Sequence, residues 1–319
     1  MHTTDLTLFD WNSKDYDEFG HTLQRLKHNY HDLDLCSDES LIALLDTYPR
    51  KWLQCFTMGY NPEDYTEWNA VHIADSSGKE ILEAVKKGRF WINIINIDKS
   101  SKEYRDIIEN IYLKLRLNCP HLKTAKPAYS ALILSSPGIQ VYYHLDAEAN
   151  MLWHFRGRKK VWVYPRGEKF SPQIELEKVV AHEGDEELSY QKEFDDHATS
   201  FEIEGGDVMS WPMHSPHRVE NLTFNVSLTT SYSSKEGRRL IGVHSANYFI
   251  LRKLGFNTPS FQRDGLIPSL KSYSFYILNK LKLIKHGQRT AHYSTNLKLD
   301  HTADSGMVTL NESSMPEFS

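Results

Sequence analysis

A chain of 319 residues, 40% hydrophobic and carrying a net charge of −5, is long enough for one large domain or two small ones with a real core. Three scattered cysteines, Cys36, Cys55 and Cys119, with no CxxC spacing, exclude a disulfide framework and a zinc ribbon and point to a reducing compartment. No basic-then-apolar leader and no run of eighteen apolar residues is present, so neither a signal peptide nor a transmembrane segment is expected, and a cytoplasmic location is the default.

Residues 1–126 read as a mixed α/β region packing on the core that follows. Ser37 is placed to cap a helix carrying Leu41, Leu44 and Leu45 on one stripe. Ser77 and Glu80 form a capping box before Ile81, Leu82 and Val85, and Gly88 supplies the stop. Phe90 to Ile97 is a dense apolar run with the look of a buried strand. Ser100 and Glu103 suggest a second capping box, opening a helix with Ile107, Ile108, Ile111 and Leu115.

From Pro127 to about residue 234 the texture changes to short strands between turn residues. They are expected at Ser130–Ser135, Gln140–Asp146, Met151–Phe155, Lys159–Tyr164, Phe201–Glu204, Val208–Trp211, Arg218–Asn221 and Asn225–Ser231. This is the pattern of a sandwich or barrel, a class that includes the cupin jelly rolls. Between the fourth and fifth strands an acidic stretch, 172–199, is expected to be a long loop serving as a lid or a solvated insertion.

Residues 235–293 form a basic, helical region: 235–290 hold eleven Lys/Arg against Glu236 and Asp264. Ser269 to His286 has Leu270, Tyr273, Ile277, Leu281 and Ile284 on one stripe. Residues 294–319 are polar and without periodicity, so a loose tail is expected. The expected fold is mainly β with flanking helices: a double-stranded β-helix (cupin/jelly-roll) core, an α/β N-terminal part and a C-terminal helix.

Chemistry concentrates in His144-Leu145-Asp146 and in Trp211 to Asn221. A His and an Asp two apart on a strand point the same way. A second His from a neighbouring strand would complete a 2-His-1-carboxylate face with three open metal positions, the geometry of non-heme Fe(II) oxygenases. His217, which opens a strand, is the preferred third ligand, and His214, between two prolines, is the alternative. On the strand from Lys159 to Tyr164, Lys159 shares a face with Val161 and Val163. An inward lysine is costly unless it meets an anion, so Lys159 suits the far carboxylate of a dicarboxylate; a surface lysine is the other reading.

The stretch His144 to Tyr164, with Asn150, Gly157 and Lys159 at fixed offsets, and the stretch Gly206-Asp207 to Asn221 resemble the JmjC and cupin-like 2-oxoglutarate oxygenases. The likeness is to small single-domain members and to the asparaginyl hydroxylases that inhibit the hypoxia factor, and it covers about residues 127–232. It implies Fe(II) and 2-oxoglutarate as cofactor and cosubstrate, with dioxygen as the oxidant. It implies that Asn150 hydrogen-bonds the oxo-acid. Relatives often carry a Thr where this chain has Val141, so that contact is sought in Tyr129, Tyr142 or Thr229; Thr229 stands where relatives often carry an Asn. Family halogenases lack the carboxylate present here as Asp146, so hydroxylation is implied. Glu148, on the alternation of His144 and Asp146, is expected to support the metal ligands or touch substrate. Trp153 is carried with it, barrel core being its other reading.

The substrate class stays open: a small metabolite, an acyl or carrier-bound group, or a protein side chain. A non-catalytic metal-binding or regulatory cupin and a metal-dependent isomerase are the competing functions. The basic region could meet an acidic carrier protein or an anionic membrane. A homodimer through the Ser269–His286 helix is the first expectation there, and nucleic acid is not expected.

Overall fold

The computed structural model describes residues 10–73, 75–184, 186–257, 260, 265–286 and 294–310. Helix α1 (Ser13–Glu18) and strand β1 (Gln24–Lys27) lead into α2 (Asp38–Thr47), where the Ser37 hydroxyl accepts the Ser40 N–H. Strands β2 (Leu53–Thr57) and β3 (Asn69–His72) precede α3 (Gly78–Lys87). The Ser77/Glu80 box closes reciprocally at the start of α3 and Gly88 caps its end. After β4 (Trp91–Ile95) come the single turn α4 (Ile97–Ser100) and the long α5 (Lys102–Asn118). The second cap lies one residue later than expected. Ser100 is consumed by α4, and it is Ser101 whose hydroxyl accepts the Tyr104 N–H.

Eight strands then build the core: β5 (Lys126–Ser135), β6 (Gln140–His144), β7 (Ala149–Arg156), β8 (Arg158–Val163), β9 (Thr199–Glu204), β10 (Asp207–Ser210), β11 (His217–Asn221) and β12 (Asn225–Ser233). They divide between two antiparallel sheets, β10-β7-β12-β5 and β6-β11-β8-β9. This is the double-stranded β-helix, with each expected strand in place. The β7–β8 corner needs glycine: Gly157 sits at φ +81°, and a Cβ there would lie 2.1 Å from the Phe224 carbonyl oxygen.

The larger sheet continues past β5 through β4, β2 and β3, so the N-terminal region is joined to the core by backbone pairing. Its outer face packs against the apolar stripes of α3 and α5 in one core that includes Ile81, Val85, Ile107, Ile111 and Trp153. The facing surfaces of the two sheets form a smaller cluster of Leu152, Val161, Val163, Met209, Trp211 and Val219.

Three expectations are corrected. The acidic stretch 172–199 is not a plain loop. It folds into α6 (Gln173–Val180) and a 3₁₀ segment, and it covers Tyr143, Trp162 and Tyr164 on the outer face of the smaller sheet with Val179, Leu188 and Phe194. Its acids are structural in part: Glu177 is buried against Arg252 (2.5 Å), and Asp195 pairs with Arg218, whose guanidinium lies 3.6 Å from the Trp162 ring centre. The tail is not loose throughout. β13 (Ser294–Leu299) pairs in parallel with β3, and β14 (Met307–Thr309) pairs with β13; residues 311–319 lie outside the described residues.

The third correction concerns the C-terminal helices α7 (Lys235–Ala246) and α8 (Leu266–Lys280). The second starts and ends earlier than the expected Ser269–His286. It buries Pro268, Ser272 and Phe275 and leaves Leu270, Tyr273, Ile277 and Leu281 exposed. The reason is close packing of small residues. Gly242 of α7 lies against Ser272, so near that a Cβ on the glycine would meet the serine hydroxyl at 2.3 Å.

Candidate metal centre and cosubstrate cavity

His144 ends β6 and His217 opens β11, and the two are register partners across adjacent antiparallel strands. Their rings stand 4.1 Å apart between centroids. Asp146 follows two residues after His144 and brings Oδ2 to 3.5 Å from His217 Nε2. One ligand atom from each of the three lies within 4.8 Å of the others.

Backbone carbonyls set the tautomers. His144 Nδ1 donates to the Tyr142 carbonyl (2.7 Å) and His217 Nδ1 to the Ser215 carbonyl (3.2 Å). Each ring is left with an Nε2 lone pair turned to the cluster, the arrangement a metal-binding imidazole requires. Burial drives His217 well below the usual imidazole range, assisted by His144, and thus holds it neutral. Burial lifts the Asp146 carboxyl to about 6, with Glu186 adding to the effect and His144 opposing it. Two imidazole Nε2 atoms and a buried carboxylate form a donor set that a divalent cation completes. Of the two competing histidines only His217 belongs to it. His214 is buried at φ 65° and hydrogen-bonds the Ala147 carbonyl (3.0 Å).

The cluster opens into a cavity of about 500 Å³ between the two sheets. Lys159, on β8, lines the same cavity and is buried to 2% exposure. Burial alone pulls its ammonium down to about 7, and it has no hydrogen-bond or ion-pair partner among the described residues. A buried amine without an anion is costly, so the residues present fit a dicarboxylate with one end at Lys159. The alternation reading of β8 holds: Val161 and Val163 point inward beside it.

Asn150 lines the cavity beside Asp146. Its amide donates to Asp146 Oδ2 (3.2 Å), while its oxygen accepts the Thr229 hydroxyl (2.9 Å) and the Met151 N–H (2.8 Å). Asn150 and Thr229 therefore orient the carboxylate from the cavity wall. Tyr129 also lines the cavity, its hydroxyl accepting the Asn93 amide (3.0 Å), and Glu148 lines it too. Tyr142 is not among the residues that line the cavity: it packs with Met58 and Ile139, and its hydroxyl accepts the Gly59 N–H. Trp153 is excluded as well, since strand alternation sends it into the helix-covered core.

Several cavity residues escaped the sequence reading. Gln54, Trp68, Trp91 and Asn93 come from the N-terminal region, and Glu186 and Glu187 from the acidic insertion. The insertion reaches the site by backbone pairing: the Leu145 N–H bonds the Glu186 carbonyl, and the Leu188 N–H bonds the Tyr143 carbonyl. Asn93 alone left a signal, as a lone amide inside the apolar run Trp91 to Ile95.

No protein-family model matches the chain, and no curated protein matches it. Among solved structures it is similar to ycfD of Escherichia coli, at 17% identity over 87% of this chain and 68% of that one, with a TM-score of 0.52. A second structure of the same protein is described as a ribosomal oxygenase in complex with cobalt and 2-oxoglutarate; it aligns at 16% identity over the same shares with a TM-score of 0.50. At these identities the likeness is one of fold. Fold and site together define a double-stranded β-helix with a His-Asp-His cluster in its inner cavity.

Proposed function

We propose that the chain is an Fe(II)- and 2-oxoglutarate-dependent oxygenase that hydroxylates an organic substrate. One observation carries this reading: a His-Asp-His cluster and a buried lysine without a partner face the same cavity. The bound cobalt and 2-oxoglutarate of the structurally similar ribosomal oxygenase support the same pair of ligands here. Bound there, Fe(II) with 2-oxoglutarate supplies the oxidising power to place one atom of dioxygen on a C–H bond while the oxo-acid leaves as succinate and carbon dioxide.

The chain's own residues do the rest. His144, Asp146 and His217 would hold the metal, and Asn150 and Thr229 fix the rotamer of Asp146. Lys159 holds the far carboxylate of the cosubstrate and keeps its proton when that anion arrives. Val141, Leu152, Trp211 and Val219 line the cavity with apolar surface that keeps bulk water out. The protein provides orientation and a dry pocket, and the cofactor provides reactivity.

The test is direct. Anaerobic protein given Fe(II) and 2-oxoglutarate should develop a visible absorption band. Admission of oxygen should then discharge the band with formation of succinate. A protein that binds the metal yet shows neither band nor oxygen-dependent succinate is a metal-binding cupin or an isomerase instead.

A further inference from the structure

Helix α8 carries an apolar stripe on its outer side. Leu266, Leu270, Tyr273, Ile277 and Leu281 recur at three- and four-residue spacing, and all five are between 57% and 75% exposed. They run along one side of the helix for about 22 Å, opposite the buried Pro268, Ser272 and Phe275. Leu254 and Phe256, which precede α8 in the chain, and Leu283, just after it, are more than half exposed too. A contiguous exposed patch of large aliphatic and aromatic side chains marks an interaction surface.

Charge decides what the surface fits. Residues 265–286 contain four lysines and no acid, and 253–286 hold six Lys/Arg against the single Asp264. Lys280, Lys282 and Lys285 are exposed and flank the C-terminal end of the stripe. A second copy seated on the same face would bring one lysine-rich surface against another with no carboxylate on α8 to neutralise it. Anionic headgroups do neutralise it, and lysine stems can lie along the apolar stripe while their ammonium groups reach outward. An apolar face with cationic flanks is the design of a helix lying in a bilayer interface. No helix among the described residues is long and apolar enough to cross a membrane, so contact through α8 would be peripheral.

We propose that α8 and its flanking turns dock the protein, helix axis in plane, on an anionic membrane surface. The inference is independent of the reaction assigned above.

The experiment is co-sedimentation of the full chain with vesicles of phosphatidylcholine alone, and of phosphatidylcholine and phosphatidylglycerol in equal parts, at low and high salt. The protein should sediment with the anionic vesicles and be released by salt. Leu270→Gln with Ile277→Gln should weaken binding at least about tenfold. Lys280→Gln, Lys282→Gln and Lys285→Gln together should abolish the preference for phosphatidylglycerol. All five positions are exposed, so folding is not at risk, and a thermal melt checks it. Equal binding to both vesicle types overturns the proposal. So does absence of binding, whether light scattering then finds a monomer or a dimer that Ile277→Gln dissociates; the dimer would show that a second copy covers the stripe.

Discussion

Trp153 and Asn150 are three residues apart on β7 and belong to opposite faces of the larger sheet. The outer face meets α3 and α5 in a continuous apolar core. The inner face looks into a cavity holding a carboxylate, two imidazoles and an ammonium. The first face stabilises the fold. The second destabilises it, because buried charge without compensation costs free energy. The comparison teaches that function in this chain sits where the sheet alternation places polar side chains against the folding optimum, and that the helix-covered face offsets the cost.

The sharpest separation of the two faces comes from removing one residue on each. His217→Ala should leave a folded protein but reduce metal retention by about 100-fold or more, beyond the loss typical of outer supporting residues, and should abolish oxygen-dependent succinate formation. Metal analysis after dialysis and a succinate assay check it; full turnover would mean that the ligand is misassigned. Trp153→Ala should do the converse. It removes a fully buried ring and the hydrogen bond from its Nε1 to the Thr230 hydroxyl. A loss of about 3–5 kcal/mol is expected, read by denaturant unfolding, and any protein that remains folded should still bind the metal.

The same contrast explains what was legible in the sequence. Period-two alternation told the inward from the outward side of β8, so Lys159 was found, and His144, Asp146 and His217 followed from strand ends that the turn residues mark. Alternation says nothing of what a neighbouring segment lays over a sheet. Glu186, Glu187, Trp68 and Asn93 reach the cavity through pairings formed only in three dimensions. The pairing of β6 with β11 carries an irregularity between His144 and Val141, so a simple count of faces does not tell where Tyr142 lies. The α8 stripe shows a related limit. Apolar periodicity identifies a face but not its partner, and the small pair Gly242/Ser272 drew the opposite face inward. The strands at 294–299 and 307–309 lack apolar alternation and owe their structure to the edge that β3 offers them.

Lys159 tests whether the inner face really costs stability. Its folded pKa of about 7 lies below the ordinary 10.5. Between those values the unfolded chain binds more protons, so the contribution of this residue makes stability rise with pH from about 7 to 10.5, with the full penalty present below 7. Lys159→Met should therefore raise the stability of the ligand-free protein at neutral pH by about 1–3 kcal/mol. It should also flatten the wild-type pH slope in that window. The same variant should lose at least about tenfold in apparent affinity for 2-oxoglutarate. Thermal melts at several pH values, with and without the oxo-acid, read both effects. A variant less stable than wild type at neutral pH would show that Lys159 has a partner in the folded protein.

The finest test uses neighbouring residues on β12. Thr229 faces the cavity and donates to Asn150, whereas Thr230 faces the core and accepts from Trp153. Valine replaces either with nearly the same shape. Thr230→Val strands a buried indole N–H and should cost about 1–2 kcal/mol with succinate formation unchanged. Thr229→Val leaves the Asn150 oxygen its bond from the Met151 N–H, so stability should fall by less than about 1 kcal/mol. What it loses is the second restraint on the amide that orients Asp146, and succinate formation should drop by about three- to tenfold. If both variants behaved alike, by unfolding or by turnover, the division of the sheet into a stabilising and a working face would fail at its closest pair of residues.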